Sequence, residues 1–228
     1  MKTNFSYLKY FIALAFGIIL LNSCSNDTSK GLSEGVIEYE AAAVDPSNSL
    51  ASFAPNKMTV KFKNDVAKVE LSAVMGLFST TFISNPHDKT LTQLTKLLNK
   101  KYAHISDVSE IEKDNELTKD MVIEETNETK VIAGYTCKKA IAKFKDNKKP
   151  DFTIYYTDEI KINDPNWINP FYKINGVLME YQMEKLGLEL RFTAKSVKKS
   201  ELDDDDFDRP KEYQIISREE MEQLLTGI

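Results

Sequence analysis

The chain has 228 residues, with 30 basic and 35 acidic side chains, a net charge of −5, 42% apolar residues and a mean hydropathy of −0.38. The acid excess excludes a nucleic-acid binder that works by neutralising phosphates, and a surface that holds anionic lipid head groups by charge. A chain of this length buries a substantial core without metal or disulfide staples.

Lys2 and Lys9 make a positive start, and Phe11 to Leu21 form an uninterrupted apolar run within the ~7–15 residues of an export-signal core. A membrane-spanning helix needs about 20. The run closes on Leu21-Asn22-Ser23-Cys24, which resembles the bacterial lipobox. That resemblance implies that Cys24 becomes the diacylated first residue of the mature protein, lipid-anchored in the cell envelope, in the outer membrane of a Gram-negative bacterium. One acyl chain anchors only marginally, so the diacyl group is needed, because no basic patch helps. The expected organisation is a signal peptide over residues 1–23, a flexible polar tether over 24–33, and one β-rich domain over 34–228. With Cys24 lipidated, Cys137 has no internal disulfide partner and reads as a half-buried strand cysteine.

The first strand is expected over Gly35 to Ala42, followed by a turn or loop at Asp45-Pro46-Ser47-Asn48. Met58 to Lys63 alternates strictly, with Met58, Val60 and Phe62 on one side, the mark of a half-buried antiparallel strand. Asn64-Asp65 is a two-residue hairpin turn into a strand over Val66 to Ser72. The tip Val74-Met75-Gly76-Leu77-Phe78 is apolar where hairpin tips are usually polar, so Val74, Met75 and Leu77 are candidates for contact with membrane or partner, or fold back as core. Strands follow over Phe78 to Ile83, Lys89 to Leu94 and Leu97 to Ile105, with a turn at Asn85-Pro86-His87-Asp88. Asp107 with Glu110 three residues on is the pattern of a capping box opening a short helix.

A strand over Met121 to Thr126, a turn at Asn127-Glu128 and a long strand through Val131 to Phe144, bent at Gly134, come next. Between Asp164 and Tyr172 two prolines confine the backbone and three aromatics cluster, a segment suited to close one mouth of a curved sheet, as a lid over an apolar ligand or as a plug completing the core. Val177 to Met183 and Leu188 to Val197 form the last pair, joined through Lys185-Leu186-Gly187. Ser217-Arg218-Glu219-Glu220 is a capping box for a C-terminal helix that docks with Met221, Leu224 and Leu225.

The succession Lys61-Phe62-Lys63-Asn64-Asp65, Val69-Glu70, Met75-Gly76, Asn85-Pro86 and Lys100-Lys101-Tyr102 resembles uncharacterised lipoproteins of Bacteroidota that carry a domain of unknown function. Their architecture is that of the LolA/LolB/LppX-like lipoprotein-carrier superfold. Ile132-Ala133-Gly134-Tyr135-Thr136-Cys137-Lys138-Lys139-Ala140, with Thr153 to Ile160, is similar to the GLPGLI family, whose eponymous motif is replaced here by Ile174-Asn175-Gly176-Val177-Leu178-Met179. The resemblance implies a concave cavity in the sheet. Phe62, Phe78, Tyr155, Trp167, Phe171 and Phe192 are the aromatic candidates to line it.

No catalytic constellation is present. His87 and His104 are the only histidines and lie in no metal-ligand spacing. Phosphate-loop, dinucleotide and serine-hydrolase signatures are missing. Asp203 to Asp206 with Asp208 is acidic but lacks the glycine and terminal glutamate of a calcium loop. Neither metal nor cofactor is expected, nor is catalysis.

The expected fold is mainly β: one antiparallel sheet of about ten strands, strongly curved into a half-barrel, with a few short helices. Two functions suit it. One is a lipid-anchored carrier or sensor holding an acyl chain or other hydrophobic small molecule in the curved sheet. The other is a non-catalytic envelope interaction module with a filled core, meeting an envelope protein through a strand edge or the 74–78 tip.

Overall fold

Alternating segments joined by short turns pair with their neighbours in sequence, because closing a short loop costs little entropy, and most of this molecule is built that way. The computed structural model describes residues 31–72, 78–116, 120–145, 149–185 and 187–226. Its strands are β1 (Glu34–Ala43), β2 (Lys57–Lys63), β3 (Val66–Ser72), β4 (Phe78–Asn85), β5 (Thr90–Leu97), β6 (Lys100–Ser106), β7 (Met121–Ile132), β8 (Tyr135–Phe144), β9 (Phe152–Thr157), β10 (Val177–Lys185), β11 (Leu188–Lys198) and β12 (Gln214–Ile215). Two helices, α1 (Val108–Glu116) and α2 (Arg218–Thr226), accompany them.

Among the described residues all twelve strands form one open sheet in the order β12-β6-β5-β4-β3-β2-β1-β11-β10-β9-β8-β7. The β1–β11 pairing, with Ala41 opposite Phe192, joins the N-terminal meander to the C-terminal one. The mainly β class agrees with expectation, but the sheet has twelve strands rather than about ten, and it is mixed, because β12 runs parallel to β6. A two-residue strand, Gln214-Ile215 between Tyr213 and Ile216, is too short to carry an alternation from which to read it.

Two further differences concern turns. Ala133-Gly134, expected as a bend inside one long strand, is the hairpin turn between β7 and β8, with φ of 49° and 87°; two consecutive positive φ values suit the twist of a two-residue hairpin. Asn127-Glu128, expected as a turn, lies within β7, where the register shifts between Glu125 and Thr129. Polar residues mark a bulge as readily as a turn. Asn64-Asp65 is the expected hairpin, with φ of 49° and 71°.

One face carries the main core, with Ile37 and Tyr39 of β1, Phe62 of β2, Ala140 and Ala142 of β8, Ile154 of β9, Met179 of β10 and Phe192 of β11 all buried. The segment 158–176 lies over it and contributes Ile160, Ile162, Phe171 and Ile174. A smaller cluster of Ile83, Leu94 and Ala103 packs with Val66, Phe207 and Tyr213, so the chain leaving β11 crosses the other face before pairing with β6. The end of the expected tether is docked: Leu32 is 6% exposed and bridges Ile160, and Lys161 N donates to Leu32 O at 2.8 Å. Residues 1–23, Cys24 and the tip residues Val74, Met75 and Leu77 lie outside the described residues.

Both caps fall where the sequence puts them. In α2, Glu220 N donates to Ser217 Oγ and Ser217 N to Glu220 Oε2, a complete box. In α1, Glu110 N donates to Asp107 Oδ1 at 3.0 Å, but the Glu110 carboxylate pairs with His104 Nε2 at 2.9 Å, which ties the helix to β6.

Candidate functional site

The interior was the expected site. Where β9 ends, the chain leaves the sheet and folds as linked turns, Trp167 N donating to Asp164 O, Asn169 N to Asn166 O and Ile174 N to Phe171 O. The hinge of this segment is Asn166, 4% exposed, whose Nδ2 donates to Ile174 O at 2.8 Å and Gly176 O at 2.9 Å. Gly176 has to be glycine: a Cβ there would stand 2.8 Å from Thr157 O and from Tyr156 Cδ2. These constraints set Phe171 edge-on to Phe152 (6.2 Å between centroids) and to Tyr181 (5.8 Å), and Tyr181 stacks on Phe192 at 5.2 Å. Tyr39 O–H donates to Leu178 O at 2.8 Å, and burial pushes the Tyr39 and Tyr181 phenols well above their ordinary range.

Of the six aromatic candidates, Phe62, Phe171 and Phe192 therefore belong to one packed core. Trp167 is half-buried, donates from Nε1 to Ser84 Oγ at 2.9 Å and has Lys89 Nζ 5.5 Å from its ring. Tyr155 is half-buried beneath Lys130 Nζ at 4.9 Å, and Phe78 is half-buried at the start of β4. Cys137 is fully buried, its Sγ 3.4 Å from Tyr135 O, and burial pushes its thiol up to about 11.

Open space lies elsewhere. A cleft of about 410 Å³ has a floor of Val66, Ile83 and Phe207 and is walled by the β2–β3 turn, the β4–β5 turn and the Asp204–Arg209 segment. The two turns are clamped, His87 Nε2 lying 2.9 Å from Asn64 O. The β4–β5 turn is braced from within: Asn85 Oδ1 accepts from His87 N, and Asn85 Nδ2 donates to Asp88 Oδ2. The third wall is held by lysines of β2 and β3. Lys63 Nζ donates to Leu202 O and pairs with Asp204, both at 2.7 Å, and Lys68 Nζ donates to Asp206 O at 2.9 Å. The Asp204 carboxylate raises the Lys63 ammonium above its ordinary range. A second cleft of about 270 Å³ lies between Asp45, Asn48 and Glu189. None of the six aromatic candidates lines either cleft.

Over residues 45–168 the sequence matches the family profile described as N-glycanase peptide, N-terminal domain. The chain belongs to the N-glycanase N-terminal domain family. The matched stretch runs from the loop after β1 through β2 to β9, and so contains both turns that wall the larger cleft but not Asp204 to Arg209. Two crystal forms of PNGF-II share the fold over 84% of this chain, with TM-scores of 0.52 and 0.53 at 18% and 17% identity. The chain spans about a third of the length of those structures, 33% and 32%. No curated protein matches it.

The expected pocket is apolar, whereas the cleft is lined largely by polar residues that read in the sequence as ordinary turn chemistry. Asn64-Asp65, Asn85-Pro86-His87-Asp88 and the Asp203–Asp208 run were all visible as loops. What could not be seen is that two turns 20 residues apart in sequence and a segment after the last long strand meet at one place, which only the register of β2 to β5 brings about.

Proposed function

We propose that this protein is a non-catalytic recognition module, held at the cell envelope through a diacylated Cys24, and that it binds glycosylated protein. The observation that carries the reading is the packed interior, in which the Phe171, Tyr181 and Phe192 rings lie against one another within one buried cluster. With the core filled, the surface is left to act. The family name supplies the ligand class, since an N-glycanase acts on N-linked glycans.

The half-barrel belongs to the same proposal. Adjacent residues, with Cα atoms ~3.8 Å apart, reach two distant strands: Asn166 bonds Gly176 at the head of β10, and Trp167 bonds Ser84 in β4. On a flat sheet five strand spacings of ~4.8 Å would hold those strands roughly 24 Å apart. A sheet that curls around the 158–176 segment brings them within reach, and makes that segment a plug rather than a lid.

Surface plasmon resonance with the full-length lipid-free protein tests the module reading. A high-mannose glycoprotein should bind, and the same glycoprotein stripped of its glycans should bind at least tenfold more weakly. Equal binding, or none, defeats the reading. Organic extraction followed by mass spectrometry gives the other half of the test: a stoichiometric hydrophobe recovered from mildly purified protein restores the carrier function in its place.

A further inference from the structure

We propose that the larger cleft, between the tips of the two hairpins and the Asp204–Arg209 segment, is a binding site for a neutral saccharide; the assignment rests on the glycoprotein-recognition reading and gives it a location.

The lining selects for charge first. Lys63 and Arg209 face Asp88, Asp204 and Asp208 across the cleft, and Lys63 is already paired with Asp204 at 2.7 Å. An anion would meet carboxylates and a cation would meet Arg209, so neither sign gains much from entering. What the lining does offer is a mixture of donors and acceptors at short range. Arg209 Nη1 donates to Pro210 O and Tyr213 O, which fixes the guanidinium plane, while its Nε and Nη2 have no partner among the described residues. The Asp208 carboxylate and the Thr90 and Thr92 hydroxyls are likewise without partners among the described residues and line the same space. Carboxylate, guanidinium and hydroxyl groups together match vicinal hydroxyls, each of which both donates and accepts.

The floor selects for shape. Val66, Ile83 and the half-buried Phe207 form an apolar patch beneath that polar rim. A pyranose has one face of C–H groups and a rim of hydroxyls, and it can set the first on the patch while the second reaches the walls. About 410 Å³ lies within the ~300–1,000 Å³ of small-ligand sites. The walls are also ready made, through the His87–Asn64 clamp, the Lys63 and Lys68 bonds to the third wall and the fixed Arg209. A cleft held by its own hydrogen bonds pays little ordering entropy when a ligand enters.

The test uses the full chain and three soluble probes, mannotriose, maltotriose and N,N′-diacetylchitobiose, with inorganic phosphate and calcium chloride as charged controls, followed by calorimetry and by NMR. Saturable binding of at least one sugar is expected, weakened tenfold or more by Asp208→Asn and by Arg209→Ala, and unchanged by Asp45→Asn in the smaller cleft. Asp208 is exposed and unpaired among the described residues, so Asp208→Asn should melt with the parent protein and decides the matter if Arg209→Ala does not fold. The proposal is overturned if phosphate or calcium binds in the cleft and no sugar does, or if sugar binding is indifferent to Asp208. A glycoprotein that binds equally well to the parent and to Asp208→Asn removes this site and leaves the recognition module standing. If neither free sugar nor glycoprotein binds, both fall. A free sugar that binds when the glycoprotein does not would place the ligand among free saccharides and overturn the module.

Discussion

Replacing Phe171 by alanine distinguishes a plug from a lid. The ring is 2% exposed and touches Phe152 and Tyr181 edge-on, with Phe192 stacked behind Tyr181. Truncating a packed phenylalanine costs about 3–5 kcal/mol, the transfer of the ring plus the cavity left behind. For a chain of this size each kcal/mol lowers Tm by roughly 2–4 °C, so a fall of roughly 6–20 °C is expected. Thermal and urea melts of the full chain, followed by near- and far-ultraviolet circular dichroism, supply the measurement, and Phe171→Leu, which keeps most of the volume, should recover more than half of the loss. A ring that merely walled a ligand cavity would have little packing to lose. A Tm within about 2 °C of the parent, or about 1 kcal/mol by the same conversion, refutes the filled core and the function built on it.

Asn166→Ala leaves the carbonyls of Ile174 and Gly176 without their donor in the interior, and a loss of about 2–3 kcal/mol should appear in the urea midpoint; no change would mean the turn is held by other means. Gly176→Ala forces a Cβ to within 2.8 Å of Thr157 O, and a cost of about 1–3 kcal/mol is expected from the displaced backbone. On the alkaline side, burial raises the Cys137 thiol from 9.0 to about 11 and the Tyr156 phenol from 10.0 to about 12. The folded state thus keeps protons that the unfolded chain gives up, so the stability these two groups contribute is fully present below pH 9 and is lost as pH rises to 12. Denaturant midpoints taken along that range should show a shallower decline between pH 9 and 11 in Cys137→Ala; an unchanged slope would show that the thiol does not carry it. Labelling cells with a fatty-acid analogue should mark the parent protein and not Cys24→Ala, and a label that persists in the variant ends the anchoring proposal.

Strands were legible wherever one face is buried and the other wet. Met58 to Lys63 and Leu188 to Lys195 alternate in sequence, and β2 and β11 follow them. Legibility failed where pairing, not composition, decides. Ala133-Gly134 and Asn127-Glu128 each fit a turn or an irregular strand, and only the β7–β8 register makes one a hairpin and the other a bulge. β12 forms because the segment after β11 is led across the sheet by Lys63 and Lys68 and docks Phe207 and Tyr213 on Ile83 and Leu94. The aromatic segment around Trp167 was recognisable as a cover for the sheet. Whether it caps a void or fills one depends on where Phe171 lands, and that is a matter of volume rather than sequence pattern.

The two crossings of the sheet have different consequences for function. The 158–176 segment is spent on the core face, where its apolar side chains and Asn166 are consumed by packing and by backbone carbonyls. The segment after β11 is anchored mainly through lysine contacts and a few apolar side chains, which leaves Asp208 and much of Arg209 uncommitted at the rim of a cleft. Its other two walls fall inside the family-matched residues 45–168, whereas Asp208 and Arg209 fall outside them. If the cleft binds saccharide, its apolar floor belongs largely to the family fold, and the groups that choose among sugars belong to the later segment. Exchanging Asp208 and Arg209 should then change which of the three sugars binds best, while Ile83→Ala should weaken all of them together. A set of affinities in which Ile83→Ala alters the ranking and the rim variants do not would invert that division and refute it.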